Sequence, residues 1–341
     1  MLLPELRELL KKYKEEDLRL IIAEIYKSIP KSLRESKDID VLLQDVHKYL
    51  QIEKVEKTKD RQIDVYNLKP KIELFIDYAY NQYYFAPNNF IHKKERPKWR
   101  FIVKSYINDL QSIPCEGEKG LIATNLLQKL YEMLSYACGY YIFNTNDPFR
   151  SVGIAQTKLL DTVITRKFAS GINKESVRSA IELVIYSRVD MSTVRSSLTD
   201  VLIENLKTPD SKLIAIEQSM ALKVELNKLI QNKSNKSRSS SSFDYEKKEK
   251  TNELVEMAVK LNLSLCEYEE AINCFSKNYI ERNLEVSLFM LLSLLHEFNL
   301  KEYWLREYER AMQNEINPRE ALKKTYKYIQ ENDALPDCIL Y

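Results

Sequence analysis

Apolar residues recur every three or four positions along most of the chain, the spacing that places them on one face of an α-helix. Prolines, glycines and short polar turns divide this pattern into segments. Helices are predicted after Pro4, at 18–29 and 39–50, after Pro70, from Pro97, and near 121–143, 154–169, 174–189, 193–206, 210–230, 252–262, 265–277, 280–298, 300–314 and 318–331. The sequence therefore predicts an all-α protein, built as an irregular multi-helix bundle or a short α-solenoid-like array, with a smaller C-terminal helical region.

One stretch departs from the helical period. Residues 51–66 are rich in charge, and Ile63 and Val65 alternate with polar residues. Alternation with a period of two is the pattern of a half-buried strand, so a short strand or a loop is predicted there.

Composition agrees with a helical fold. The chain has 341 residues, of which 44% are hydrophobic and 30% charged, which is enough apolar material for a sizeable core. Only 5 residues are glycine. Because phosphate-binding loops and tight sheet turns depend on glycine, this scarcity argues against Rossmann and P-loop enzymes.

A polar segment divides the predicted helices into two groups. Residues 231–243 read QNKSNKSRSSSSF, a basic, serine-rich stretch with little to bury. Carboxylates outnumber cations after it, whereas cations outnumber carboxylates before it. We therefore predict an N-terminal helical domain at 1–230, a Ser/Lys-rich linker at 231–250 and a C-terminal helical domain at 251–341.

This sequence has few residues of the types that bind metals or cofactors, and they are widely spaced. The five cysteines are scattered without a CxxC pair, and the three histidines are far apart: Cys115, Cys138, Cys266, Cys274, Cys338, His47, His92 and His296. We expect reduced thiols, no metal and no cofactor. The N-terminus lacks an apolar signal core and no apolar run is long enough for a membrane span, so we expect a cytoplasmic protein with no membrane partner.

The basic–aromatic segment, residues 78–104, concentrates cations and rings. After position 90 it has only Glu95 to oppose six cations. Single-stranded nucleic acid requires cations for its phosphates and rings for its bases. The candidate nucleic-acid-binding residues are Lys93, Lys94, Arg96, Lys98, Trp99 and Arg100, with Trp99 expected to be accessible. The structural alternative is that the rings of Tyr80, Tyr83 and Phe101 are core and the cations lie in a solvated loop.

A second candidate is the turn before residue 156. Arg150, Ser151 and Gly153 lie at a predicted helix start, where free N–H groups and an arginine could hold an anion. The alternative is an ordinary helix entry with Asp147 as its cap.

These observations favour a non-catalytic helical binding or scaffold protein that engages another macromolecule, in the first place a protein. The alternative is a nucleic-acid-binding protein that uses residues 92–104. A second alternative is an enzyme whose site is assembled from residues distant in sequence.

Overall fold

Helices joined by short turns make up the protein in the computed structural model, which describes residues 3–36, 39–46, 63–234 and 241–339. Within these ranges there is no β-strand, so the prediction of an all-α multi-helix array is confirmed. None of the helices in the described ranges is long and apolar enough to cross a bilayer. The chain divides into two units, residues 1–63 and 64–341.

The first unit consists of short helices on which several large apolar side chains are exposed. Its helices are α1 (Leu3–Leu10), α2 (Glu15–Ser28), α3 (Lys31–Ser36) and α4 (Ile39–Gln44). The Tyr26 hydroxyl donates to Asp40 at 2.6 Å, which ties α2 to α4. Helix α2 buries no residue, and its Leu20 side chain is 65% exposed.

The second unit contains the remaining helices and most of the core. They are α5 (Val65–Tyr80), α6 (Trp99–Gln111), α7 (Gly117–Ala137), α8 (Pro148–Val152), α9 (Gln156–Ala169), α10 (Lys174–Tyr186), α11 (Arg195–Asn205), α12 (Pro209–Ser234), α13 (Ser241–Ser264), α14 (Tyr268–Asn278), α15 (Leu284–Glu297), α16 (Lys301–Gln313) and α17 (Glu320–Asn332). A one-turn 3₁₀ helix, Arg96–Lys98, leads into α6.

Helix α5 starts earlier than the sequence predicted. Asp64 caps it by accepting a hydrogen bond from the Tyr66 N–H at 3.0 Å, and Val65 in its first turn is fully buried. Pro70 lies inside the helix instead of before it. The suggested strand is wrong at Val65 because the capped helix already begins there, and residues 51–62 lie outside the described part of the chain.

Helix α7 is central to the N-terminal part of this unit, because α5, α6 and α9 all pack against it. Its Leu127, Leu130 and Leu134 are completely buried. Gly120 allows the preceding turn to approach closely, since a Cβ there would lie 2.1 Å from the Cys115 carbonyl oxygen.

A buried amide joins helix α9 to the turn after α10. Gln156 is fully buried, and its Nε2 donates to the Arg188 carbonyl at 2.8 Å. Its Oε1 accepts from the Asp190 N–H at 2.9 Å. The Gln156 amide thus satisfies two backbone groups that would otherwise be buried without a partner.

The long helices α12 and α13 pack against each other, and α14 packs on α13. A C-terminal core surrounds the fully buried Trp304 of α16. Helical residues 231–234 and 241–250 fall within the predicted linker, and 235–240 lie outside the described residues. The division at 231–250 stays a prediction.

Candidate functional site

Trp99 lies beneath the surface of the basic–aromatic segment. Its side chain is only 4% exposed, and its ring stacks on Phe143 with a centroid separation of 3.9 Å and an interplanar angle of 9°. The expectation of an accessible Trp99 is therefore wrong, because this ring packs in the core and cannot stack on a base.

Arg96 organises the loop before α6. Its Nε donates to the Ile91 carbonyl at 3.0 Å and its Nη2 to the Asn88 carbonyl at 3.3 Å. Asn88 in turn accepts hydrogen bonds from the N–H groups of Phe90 and Ile91 at 2.9 and 2.7 Å. Arg96 thus keeps its positive charge while holding the loop in place.

The other cations of the segment differ in how far they are neutralised. Lys98 pairs with Glu95 at 2.8 Å, and Glu95 is the only acidic residue in the sequence of the segment after position 90. Lys93 and Lys94 are exposed and make no ion pair with any residue that the structure describes. The Arg100 guanidinium lies 4.9 Å from the centre of the Phe101 ring. Three of the predicted cations therefore remain open to an external anion.

A cavity of about 510 Å³ lies beside these cations, and we call it the basic cavity. Its lining includes Lys93, Arg96 and Arg100 together with the polar side chains of Asn144, Thr145 and Ser151, and none of its described lining residues is a carboxylate. Tyr84, Phe85, Pro87, Pro97 and Trp99 complete the wall. An unopposed set of cations in a concave site attracts anions.

The turn at residues 144–153 supplies the hydroxyl side of the basic cavity. Asp147 caps α8 by accepting from the Arg150 N–H at 3.1 Å, and its carbonyl accepts from the Ser151 N–H at 3.1 Å. The hydroxyls of Thr145 and Ser151 lie 2.9 Å apart. The N–H groups expected to hold an anion are thus already bonded.

Gly153 follows α8 instead of starting a helix, with a left-handed φ of 79°. A Cβ on Gly153 would lie 3.4 Å from the Lys104 Nζ, so this turn approaches a further cation of α6. Of the predicted anion-binding residues, only Ser151 lines the basic cavity, and Arg150 is exposed outside its lining. The two sites predicted from the sequence therefore adjoin in the structure, because Ser151 of the second site lines the same cavity as the cations of the first.

Exposed rings lie close to the basic cavity. Phe90 is 69% exposed and stacks on Tyr83 at 4.3 Å, and Phe101 is 62% exposed. Phe85, which lines the cavity, stacks on the exposed Tyr141 at 5.7 Å. The structural alternative placed Tyr80 and Phe101 in the core, and this part of it is wrong because both side chains are exposed. The role of Tyr141 was missed, because its sequence position is distant from the segment.

The described part of the chain contains no set of side chains that could bind a metal ion. No group of three His, Cys, Asp or Glu side chains there is arranged to hold an ion, and His47 lies outside the described residues. The five cysteines are unpaired thiols. Burial raises the pKa of the Cys138 thiol to about 12, which keeps it protonated and unreactive near neutral pH.

The fold and the basic cavity define an all-α protein with a cationic, ring-bordered concave surface. Comparison with models of protein families gives no match, and neither the curated proteins nor the solved structures searched match this chain.

Proposed function

We propose that this protein is a non-catalytic helical binding protein whose basic cavity binds single-stranded nucleic acid. The observation that carries the proposal is the combination of Lys93, Arg96 and Arg100 around a cavity without a carboxylate in its described lining. Cations attract the phosphates of any strand, and exposed rings beside them offer stacking surfaces for unpaired bases. A duplex hides those base faces, so a single strand suits this surface better.

Phe90 is the ring best placed to stack on a base. One face packs on Tyr83 with an interplanar angle of 8°, which orients the ring, while most of its surface remains exposed. Aromatic stacking is worth roughly 1–3 kcal/mol per base and tolerates any base. Phe90→Ala should therefore weaken binding without changing its salt dependence.

The cations are tested by charge reversal at Lys93, Lys94 and Arg100. Arg96 is left intact because it holds the loop. Fluorescence anisotropy with labelled single-stranded DNA and RNA should show binding that weakens with salt. The reversed variant should bind more weakly, and its log–log salt slope should fall by about 0.7 for each lost phosphate contact.

A matched control separates the cavity from the overall charge. Lys158, Lys207 and Lys277 are exposed elsewhere in the second unit, and reversing them changes net charge equally. This control should bind almost as the wild type does. Equal losses in both variants, or no binding by the wild type at low salt, would refute the proposal.

A second candidate function is the binding of a protein partner through the first unit. Leu20, Ile22 and Ile25 are exposed on α2, a helix that buries no residue. A serine variant that combines Leu20→Ser, Ile22→Ser and Ile25→Ser should no longer capture the partners that wild type isolates from a host lysate. The variant with reversed charges in the basic cavity should still capture them. Retention of every partner by the serine variant would contradict this candidate.

A further inference from the structure

A second cavity, of about 380 Å³, lies on the second unit and is lined by three tyrosines. We call it the tyrosine cavity. Helix α7 contributes Gln128, Glu132 and Tyr136, which follow one another at i, i+4 spacing and share a face. Helix α10 contributes Glu182 and Tyr186, and both helices pack on α9. Tyr80, at the end of α5, completes the ring set.

The tyrosines form exposed walls at an angle to each other. The rings of Tyr80 and Tyr136 are 5.3 Å apart with an interplanar angle of 70°. Tyr186 lines the cavity from α10. The Lys250 ammonium, from outside the lining, already lies 5.0 Å from the Tyr186 ring centre. Tyrosine faces carry negative electrostatic potential, so rings around a cavity attract a cation.

Two carboxylates reinforce that potential from opposite helices. Glu132 accepts a hydrogen bond from the Gln128 amide at 2.7 Å, an interaction that leaves its charge intact. Glu182 pairs with Arg178 at 3.1 Å, but the two Nη atoms of Arg178 bind Glu225 at 2.9 and 2.7 Å. Arg178 is therefore shared between two acids.

The pKa values of the phenols agree with this placement of charge. Burial and then the Glu132 charge raise the pKa of Tyr80, while burial and then the Glu182 charge raise the pKa of Tyr186. The one cation in the lining is Arg188, whose guanidinium lies 4.7 Å from the ring centre of Tyr140, a residue outside the lining. Within the lining, two carboxylates therefore face one cation, while Arg178 and Lys250 approach from outside it.

We infer that the tyrosine cavity binds an organic ammonium cation of the trimethylammonium type. The rings replace the weak hydration of such a cation, and Glu132 and Glu182 balance its charge. A metal ion fits less well, because the described residues offer no set of three donors. The same chemistry is carried by free quaternary amines and by trimethylated lysine side chains of protein partners.

The test uses the full chain and calorimetric titration with choline. Its matched probe is 3,3-dimethylbutan-1-ol, which has the same shape with a neutral carbon in place of nitrogen. Choline should bind saturably at one site, at least about tenfold more tightly than the neutral probe. Equal affinity for the two probes would show a hydrophobic pocket and overturn the inference.

Variants locate the binding site. Glu132→Gln with Glu182→Gln keeps the shape and should weaken choline binding about tenfold, and Tyr136→Ala should weaken it further. Tyr66→Ala is the control, since Tyr66 is an exposed tyrosine at the other end of α5 and lies outside the lining of both cavities. Wild-type affinity in the glutamine variant, with circular dichroism showing an intact fold, would overturn the inference.

A peptide arm distinguishes the sources of the cation. A short peptide with one trimethyllysine is titrated beside the unmodified peptide. Preference for the trimethylated peptide over choline supports a partner-borne side chain, and the reverse order supports a small molecule. Failure of both choline and the trimethylated peptide to bind would overturn the inference, whatever the outcome for nucleic acid.

Discussion

Glu256 of α13 lies in a cleft, which is lined by residues of α11 and α13. Its neighbours in the cleft include Glu253, Lys260 and Tyr279. Burial, followed by the Glu253 charge, raises the pKa of Glu256 from 4.5 to about 7, while a hydrogen bond with Tyr279 and the Lys260 charge oppose the rise. Arg195 is not available to Glu256, because it pairs with Glu253 at 2.6 Å.

The raised pKa sets the sign of a pH effect on stability. The folded state holds the Glu256 proton more tightly than the unfolded state does, so this group favours folding most below pH 4.5. That contribution is lost as the pH rises from 4.5 to about 7. Since one pKa unit corresponds to about 1.4 kcal/mol, the full loss is about 3 kcal/mol.

Glu256→Gln removes the ionisation and keeps the size of the side chain. The variant should be more stable than wild type by about 2–3 kcal/mol at pH 8, and the two should be nearly equal at pH 4.5. Urea unfolding followed by circular dichroism at both pH values measures this difference.

The control is Glu270→Gln, a change at an exposed position of α14. It should shift the free energy of unfolding by less than about 0.5 kcal/mol at either pH. A raised pKa at Glu256 is refuted if Glu256→Gln is no more stable than wild type at pH 8, or if its advantage is the same at both pH values.

Two further predictions concern the packing of the second unit, and unfolding free energies measure both. Gly120→Ala should lower the free energy of unfolding by about 2 kcal/mol or more, because the new Cβ would clash with the Cys115 carbonyl. The control is Gly139→Ala, where the atoms nearest to the new Cβ belong to the flexible Arg188 side chain, and it should cost less than about 1 kcal/mol. Equal costs would contradict the packing argument. Gln156→Leu should destabilise by about 2–4 kcal/mol because the Asp190 N–H loses its buried acceptor, and a loss below about 1 kcal/mol would show that water replaces the amide.

Much of the local structure could be predicted from sequence because helix signals act over a few residues. A helix was predicted near 174–189, and Asn173 caps it by accepting from the Ser176 N–H at 2.8 Å in a capping box. Asp147 caps α8, as the structural alternative for its turn held. The boundary between the helices predicted near 252–262 and 265–277 was placed too early, because α13 continues to Ser264 and the next helix begins at Tyr268.

The candidate site was only partly predictable. Lys93, Arg96 and Arg100 stood out because they are crowded together in sequence, and all three line the basic cavity. Thr145 and Ser151 join them because α6 packs against α8. The tyrosine cavity had no sequence signal at all, since α5, α7 and α10 contribute to it from distant positions.

The sequence by itself determined that the chain is helical, where most helices lie and which residues share a helix face. Periodicity and caps are local, so they need no knowledge of partners. It did not determine which face is buried. In α6 the buried stripe is Trp99, Val103, Ile107 and Leu110, while Phe101 faces outward. Only the packing of α6 against α7 and α8 made that choice, because burial depends on the neighbouring helices and not on the periodicity of one helix.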